Sequence, residues 1–331
     1  MVSEKRIIML VMACAALTLL VPVLIAVTIR SPSHGTKQEI VIPLFDHASG
    51  RVIRIPLEDY LIGVVAAEMP ASFEMEALRA QAVAARTYTL KKLASSESSI
   101  AHAHPQGKLC TDPGCCQAWD SREDLVRKWG SSDYVPNILK IMQAVTSTQG
   151  LVLTYNGALI DAVYHSCCGG ATEDASEVWG RFSPYLVSVG CVCAERGYVQ
   201  GETRPVRSQD LLDLLSALGL EGNARAVPAL SRGVQVVSTT ATRRARTVSV
   251  YGVSVPAVDV RRALSLKSTR LSIRSEPGMV YFTTTGYGHG VGMCQWGASV
   301  FASMGWDFSR ILTHYYRGTQ IKHIYTAASG E

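Results

Sequence analysis

No block of like charge runs through this 331-residue chain. Lys and Arg number 32 against 27 Asp and Glu, a formal net charge of +5. The basic residues concentrated between positions 225 and 274 are interleaved with Val, Ser and Thr. That spread reads as a solvated face with some affinity for an anionic wall polymer or phospholipid surface, and no nucleic-acid partner is expected. No internal repeat is present. The glycine-rich segment GYGHGVGMCQWGA at 286–298 lies between a strand-like and a helix-like stretch, yet its glycines fit no G-x-G-x-x-G and no Gly-Lys-Ser/Thr follows. A dinucleotide fingerprint and a phosphate loop are thereby excluded.

What is present begins with an uncharged, mostly apolar run at 7–29, preceded by Lys5 and Arg6 and closed by Arg30. About 20 apolar residues cross a hydrocarbon core of ~30 Å, so this run predicts a single-pass membrane helix within an anchor at 1–30. The leading basic pair favours N-in, C-out. A cleaved signal peptide would have a shorter apolar core and a small-x-small site, neither of which is well met. A polar linker at 31–38 follows, then an extracytoplasmic region at 39–326 of predicted α+β class, in which 205–275 is a possible smaller lobe.

Within that region EIVIPLF and RVIRIPL predict a hairpin around His47 to Gly50, and Asn156-Gly157 predicts another. Between them lies YLIGVVAAEMP, in which Glu68 ends an apolar helix stopped by Met69-Pro70, ahead of an Ala-rich helix expected to begin at Ser72 as N-cap. Glu74 and Glu76 have a simple role as complements of that helix dipole; Glu68 does not. A carboxyl held between packed elements has its pKa raised by desolvation, which suits a general acid, and Glu68 is the candidate catalytic group.

Three segments in order, LEDYLIGVVAAEMPASFEMEALRAQAVAARTYTL, YHSCCGGATEDASEVWG and GYGHGVGMCQWGA, resemble the motifs of the stage II sporulation protein D family, and the likeness runs from about residue 41 to 325. The resemblance implies a membrane-anchored lytic transglycosylase that cuts peptidoglycan glycan strands during engulfment, on the mother-cell membrane facing the engulfment space. It also implies denuded glycan as substrate, a partner cell-wall amidase that makes it, and a membrane scaffold of the engulfment machinery. Relatives called amidase enhancers supply the competing class, a non-catalytic glycan-binding activator. In the enzymatic scheme Glu68 protonates the leaving oxygen and then, as carboxylate, takes the proton of the muramic C6 hydroxyl, closing a 1,6-anhydro ring.

Candidate substrate contacts are His165 and Ser166 at a strand end, Glu173 as the second carboxylate if one exists, and His289, Gln295 and Trp296 for sugar hydroxyls and an apolar sugar face. The glycines around His289 are expected to let backbone pass close to a ligand or to the Glu68 helix. Cys168 and Cys294 stand where the family commonly has serine, and neither is expected to begin a helix as a peptidase nucleophile would. His104, Cys110, Cys115 and Cys116 are four ligands for a closed, structural tetrahedral zinc site, with a Cys110 disulfide as the rival.

Overall fold

The computed structural model describes residues 39–95, 109–196, 201–220 and 233–324, and all described secondary structure falls in the compact unit Val41–Glu331. The expected anchor, the linker and His104 lie outside the described residues. Among the described residues no helix is long and apolar enough to cross a membrane. The described region mixes helices and sheets, as the α+β expectation required.

Strands β1 (Val41–Asp46) and β2 (Arg51–Pro56) form the expected hairpin and lead directly into helix α1 (Leu57–Glu68). The helix ends because Met69 precedes a proline and turns extended, at φ −126° and ψ 141°. The next helix, α2 (Met75–Ala94), starts three residues beyond the predicted Ser72 cap. Phe73 is buried and its amide closes a turn onto Pro70 O at 3.0 Å, so Ser72 belongs to that turn and Glu74 takes the cap position. Glu76 does sit in the first turn, where it pairs with Arg79 and accepts the Phe308 amide at 2.9 Å.

Helix α2 is buried on most of its surface, the mark of a central core helix. Its alanines let neighbours approach closely, and its Arg86, wholly buried, reaches Glu58 through both Nε (2.9 Å) and Nη2 (2.6 Å) while donating to the carbonyls of Val145 and Leu151. Strand β3 (Leu109–Cys110) then adds in parallel to β1. Helix α3 (Arg122–Thr146), started by a Ser121–Asp124 capping box, runs on across a break at Gly130. Strands β4 (Leu151–Tyr155) and β5 (Ala158–Leu159) flank Asn156-Gly157, both with positive φ, as expected of that turn.

The second motif enters on the short strand β6 (Tyr164–His165) and ends on α4 (Ala175–Trp179). Beyond it, β7 (Glu202–Arg207), α5 (Ser208–Ala217), the β8–β9–β10 meander (Val234–Thr239, Ala245–Val250, Val253–Pro256), α6 (Ala257–Ala263), β11 (Leu271–Glu276) and β12 (Met279–Thr284) share a hydrophobic core of their own that includes Leu211, Val248, Val255 and Phe282. The third motif returns to β6 as the parallel strand β13 (Met293–Cys294) and continues as α7 (Gln295–Ser303). Helix α8 (Phe308–Tyr315), capped by Asp307, and β14 (Gln320–His323), antiparallel to β4, complete the described fold.

One contact in this frame decides where the site forms. A Cβ on Gly63, midway along α1, would lie 2.7 Å from both Asp120 O and Trp119 Cδ1. The bare backbone lets the 117–120 loop lie against the helix, and Asp120 N donates to Gly63 O at 3.3 Å. Alanine ordinarily favours a helix over glycine by about 1 kcal/mol, but here overpacking should win. Gly63→Ala is expected to destabilise the protein by about 1–3 kcal/mol in urea unfolding.

Candidate functional site

A cavity of about 680 Å³ opens beside the end of α1. Its wall takes Glu68 from the first motif, Cys115 to Ala118 from the loop after β3, Tyr164, His165 and Ser166 from the second motif, and Gly288, His289 and Gln295 from the third. The three motifs therefore meet around one space. Among the described residues lining it, Glu68 is the only carboxylate.

Glu68 is held at both oxygens. Its Oε1 accepts the Ala118 amide at 2.9 Å and its Oε2 accepts Gln295 Nε2 at 3.2 Å. Burial is the largest influence on this carboxyl and pushes its pKa above the usual carboxylate range, against the pull of those two donors and of Lys128. Gln295 is itself buried and reaches Gln81 Oε1 at 3.4 Å, which fixes the carboxamide between α2 and Glu68. Gln117, next to Ala118, is anchored by Tyr164 Oη, which donates to its Oε1 at 2.7 Å, and its Nε2 donates to Tyr60 Oη and Thr89 Oγ1. That anchoring presents the Ala118 amide to the carboxylate.

Both histidines are neutral. His289 Nδ1 accepts the Val291 amide at 3.1 Å, so its Nε2 carries the proton and donates to Tyr164 O at 3.0 Å. Burial lowers its pKa to about 4. His165 Nδ1 donates to Val291 O at 3.0 Å, leaving Nε2 unprotonated and without a partner in the cavity wall. Burial, then the neighbouring His289 and Arg244, hold its pKa well below the ordinary value. An unpaired buried acceptor of this kind is an asset only if a ligand hydroxyl fills it.

Among the glycines of the third motif, Gly288 lines the cavity, and its close approach is to the second motif. Gly288, at φ 110°, would bring a Cβ within 2.7 Å of His165 Cβ. The close approach is thus between the second and third motifs, not toward the Glu68 helix. Two candidate residues also fall elsewhere. Glu173 is 1% exposed, accepts Thr240 Oγ1 at 2.6 Å, Thr242 Oγ1 and the Asp174 amide, and lines a neighbouring cavity instead of the Glu68 one. Trp296 packs edge-on against Phe73 with ring centroids 4.7 Å apart and is not in the wall. The indole in the wall is Trp179, half-exposed at the end of α4 and 5.2 Å from the His289 ring. Cys294, contrary to expectation, does cap a helix, accepting Gly297 N at 3.3 Å, but it and Cys168 are fully buried and outside the cavity wall, so neither is placed as a nucleophile.

Tyr164 and Trp179 stand inside the second motif, where their neighbours were already candidates. Ala118 left no signal, because it contributes only a backbone amide. In the loop before it, the sulfurs of Cys110, Cys115 and Cys116 lie within 4.8 Å of one another. A zinc ion about 2.3 Å from each of its thiolates sets them about 3.8 Å apart, so this trio fits three corners of a tetrahedral site.

The family described as "Stage II sporulation protein" matches residues 46–155. Stage II sporulation protein D of Bacillus subtilis is 35% identical over 300 residues, covering 89% of this chain and 84% of that protein. The Bacillus amyloliquefaciens protein of the same name is 32% identical over 342 residues, covering 96% of each. A Bacillus subtilis protein named "Amidase enhancer" is 29% identical over 307 residues, covering 79% of this chain and 40% of that protein.

The raised carboxyl has a consequence for stability. A folded-state pKa above the unfolded value contributes stability at pH below the ordinary carboxylate pKa, and that contribution is lost as pH rises through the folded value. Glu68→Gln removes the ionisation. It should therefore unfold at a higher temperature than the parent at pH 7, with the gain vanishing near about pH 4. A difference that does not vary with pH would mean that Glu68 is not destabilised by its charge.

Proposed function

The chain belongs to the stage II sporulation protein D family, and from that premise we propose that it is a lytic transglycosylase that cleaves peptidoglycan glycan strands during engulfment. The observation that carries the proposal is that, among the described residues, Glu68 is the single carboxylate lining a cavity walled by all three motifs. Glycosidases that use water employ two carboxyl groups, roughly 5–9.5 Å apart. One suffices when the substrate brings its own nucleophile.

In the proposed step Glu68, whose protonated form burial favours, gives its proton to the glycosidic oxygen as the bond from that oxygen to the anomeric carbon breaks. The ionised carboxylate, steadied by the Ala118 amide and Gln295, then accepts the proton of the muramic C6 hydroxyl as its oxygen bonds to the anomeric carbon. The carboxyl ends protonated, ready for the next turnover. His165 Nε2 is an open acceptor for a sugar hydroxyl, and the Trp179 ring offers an apolar face to a pyranose. Ser166, His289 and Gln295 complete the polar wall.

The wider setting is proposed on the same footing. The 7–29 run tethers the protein to the mother-cell membrane with the cavity outside the cytoplasm. A partner amidase strips stem peptides from the strands, and a membrane scaffold holds the assembly. Zinc on Cys110, Cys115 and Cys116, with His104 as fourth ligand, would stiffen the loop that runs on to Gln117 and Ala118. It is a structural ion, with no position left for substrate.

A second reading has a specific observation behind it, the likeness to a protein named an amidase enhancer. There the same cavity binds glycan without cutting it. Product chemistry separates the two. Incubated with glycan strands freed of stem peptides, the protein should release 1,6-anhydro ends by mass spectrometry. Glu68→Gln should lower the rate by about 10²–10⁴-fold. Glycan binding with no product would favour the activator.

The metal is tested separately. Cys110→Ser should lower both zinc content and melting temperature, because binding energy at a site formed only on folding is folding energy. A metal-free parent with Cys110 in a disulfide would establish the rival arrangement.

A further inference from the structure

Four cysteines outside the catalytic cavity converge from three separate segments. The sulfurs of Cys168, in the turn after β6, of Cys191 and Cys193, in the loop before β7, and of Cys294, at the cap of α7, all lie within 4.8 Å of one another. Cys168, Cys193 and Cys294 are fully buried, and Cys191 is partly so. Cys168 Sγ and Cys193 Sγ are 3.4 Å apart, far from the roughly 2.05 Å of a disulfide. That separation is close to the about 3.8 Å edge of a tetrahedron whose centre lies ~2.3 Å from four thiolates. An iron–sulfur cluster must fit inorganic sulfide between its ligands, and four sulfurs this close leave room for one ion.

The surroundings suit a buried anion. Cys294 Sγ accepts the amides of Cys168 and Gly297, each at 3.3 Å, and stands at the positive end of the nine-residue helix α7. Cys191 Sγ lies 3.1 Å from Tyr315 Oη. Arg244, 2% exposed, donates to Cys168 O and Ser268 Oγ, each at 3.0 Å, and its Nε has no partner. Among the described residues it makes no ion pair. A buried guanidinium is costly unless negative charge lies nearby, and the groups near enough to favour its charge are Cys168 first and the Glu173 carboxylate second.

We propose that Cys168, Cys191, Cys193 and Cys294 form a tetrathiolate zinc site, separate from the Cys110 loop. On binding, each thiol gives its proton to solvent, leaving a doubly negative zinc–thiolate centre that the amides, the α7 cap and Arg244 offset. The ion has no open position and is structural. It clamps the turn that follows His165 and Ser166 to the residue that precedes Gln295, so it fixes the donor on Glu68 relative to the second motif.

The test reads metal and ligands, not turnover. Full-length protein purified under reducing conditions without chelator should carry about two zinc ions per chain if the Cys110 site is also filled, and about one if it is not. In the Cys110→Ser chain, zinc-edge X-ray absorption should show one ion with about four sulfurs at ~2.3 Å. Cys193→Ser should remove about one ion per chain from either background, whereas Cys167→Ser, a change at the neighbouring buried thiol, should remove none. The absorption measurement does not depend on Cys193→Ser folding. A nitrogen- or oxygen-rich shell in the Cys110→Ser chain would overturn the proposal. So would equal losses at Cys167 and Cys193, or a metal-free chain with Cys168 and Cys193 in a disulfide.

Discussion

The structure turns on holding one partly buried carboxylate at the wall of a cavity. A partly buried charge must be hydrogen-bonded, or it neutralises or opens the fold. Glu68 meets that requirement with one amide from the 117–120 loop and one carboxamide from the start of α7. Those donors come from positions 50 and 227 residues away in sequence. Around the same point Gly63 admits the loop to the flank of α1, and Gln117 is locked by Tyr60, Thr89 and Tyr164. The balance of burial over donation leaves the carboxyl raised, which is the state general acid chemistry needs.

A second constraint is the tight apposition of the other two motifs. The β6 and β13 pairing is only two residues long, yet Cys167 and Tyr287 add a bridge and Glu173 pairs with Val291 beside it. Two neutral histidines share Val291 as a backbone partner, one through its carbonyl and one through its amide. Burial keeps both uncharged, so the cavity wall presents an unprotonated acceptor on His165. Glu173, read as a ligand contact, instead spends its oxygens on Thr240 and Thr242 and ties this seam to the β8–β9 turn.

Cysteine-rich segments flank the cavity on two sides. One trio sits in the loop that delivers Ala118, and the four-sulfur cluster sits behind Ser166 and Gln295. Both support groups that touch Glu68 without themselves supplying chemistry to it. A short parallel strand pair and an irregular loop hold few backbone hydrogen bonds, and cross-linking through a metal is a physically sensible way to fix such elements.

The sequence by itself determined the local pieces. The β1–β2 hairpin, the Asn156-Gly157 turn, the Asp307 cap and the end of α1 at Met69-Pro70 follow from turn chemistry and proline geometry within a few residues. It also supplied Glu68, His165, Ser166, His289 and Gln295 as lining residues, because motif order and residue chemistry survive without coordinates. The start of α2 was displaced because burial of Phe73 overrode the preference of Ser72 for a cap. What only the tertiary structure decided were matters of proximity. Trp179 and not Trp296 faces the cavity, Ala118 matters through its backbone, and four cysteines spread over 127 positions share one point. Spacing along a chain fixes which residues share a helix face or a turn. It carries no information on which distant segments a core will press together, since that is set by packing and by the need to satisfy every buried polar group at once.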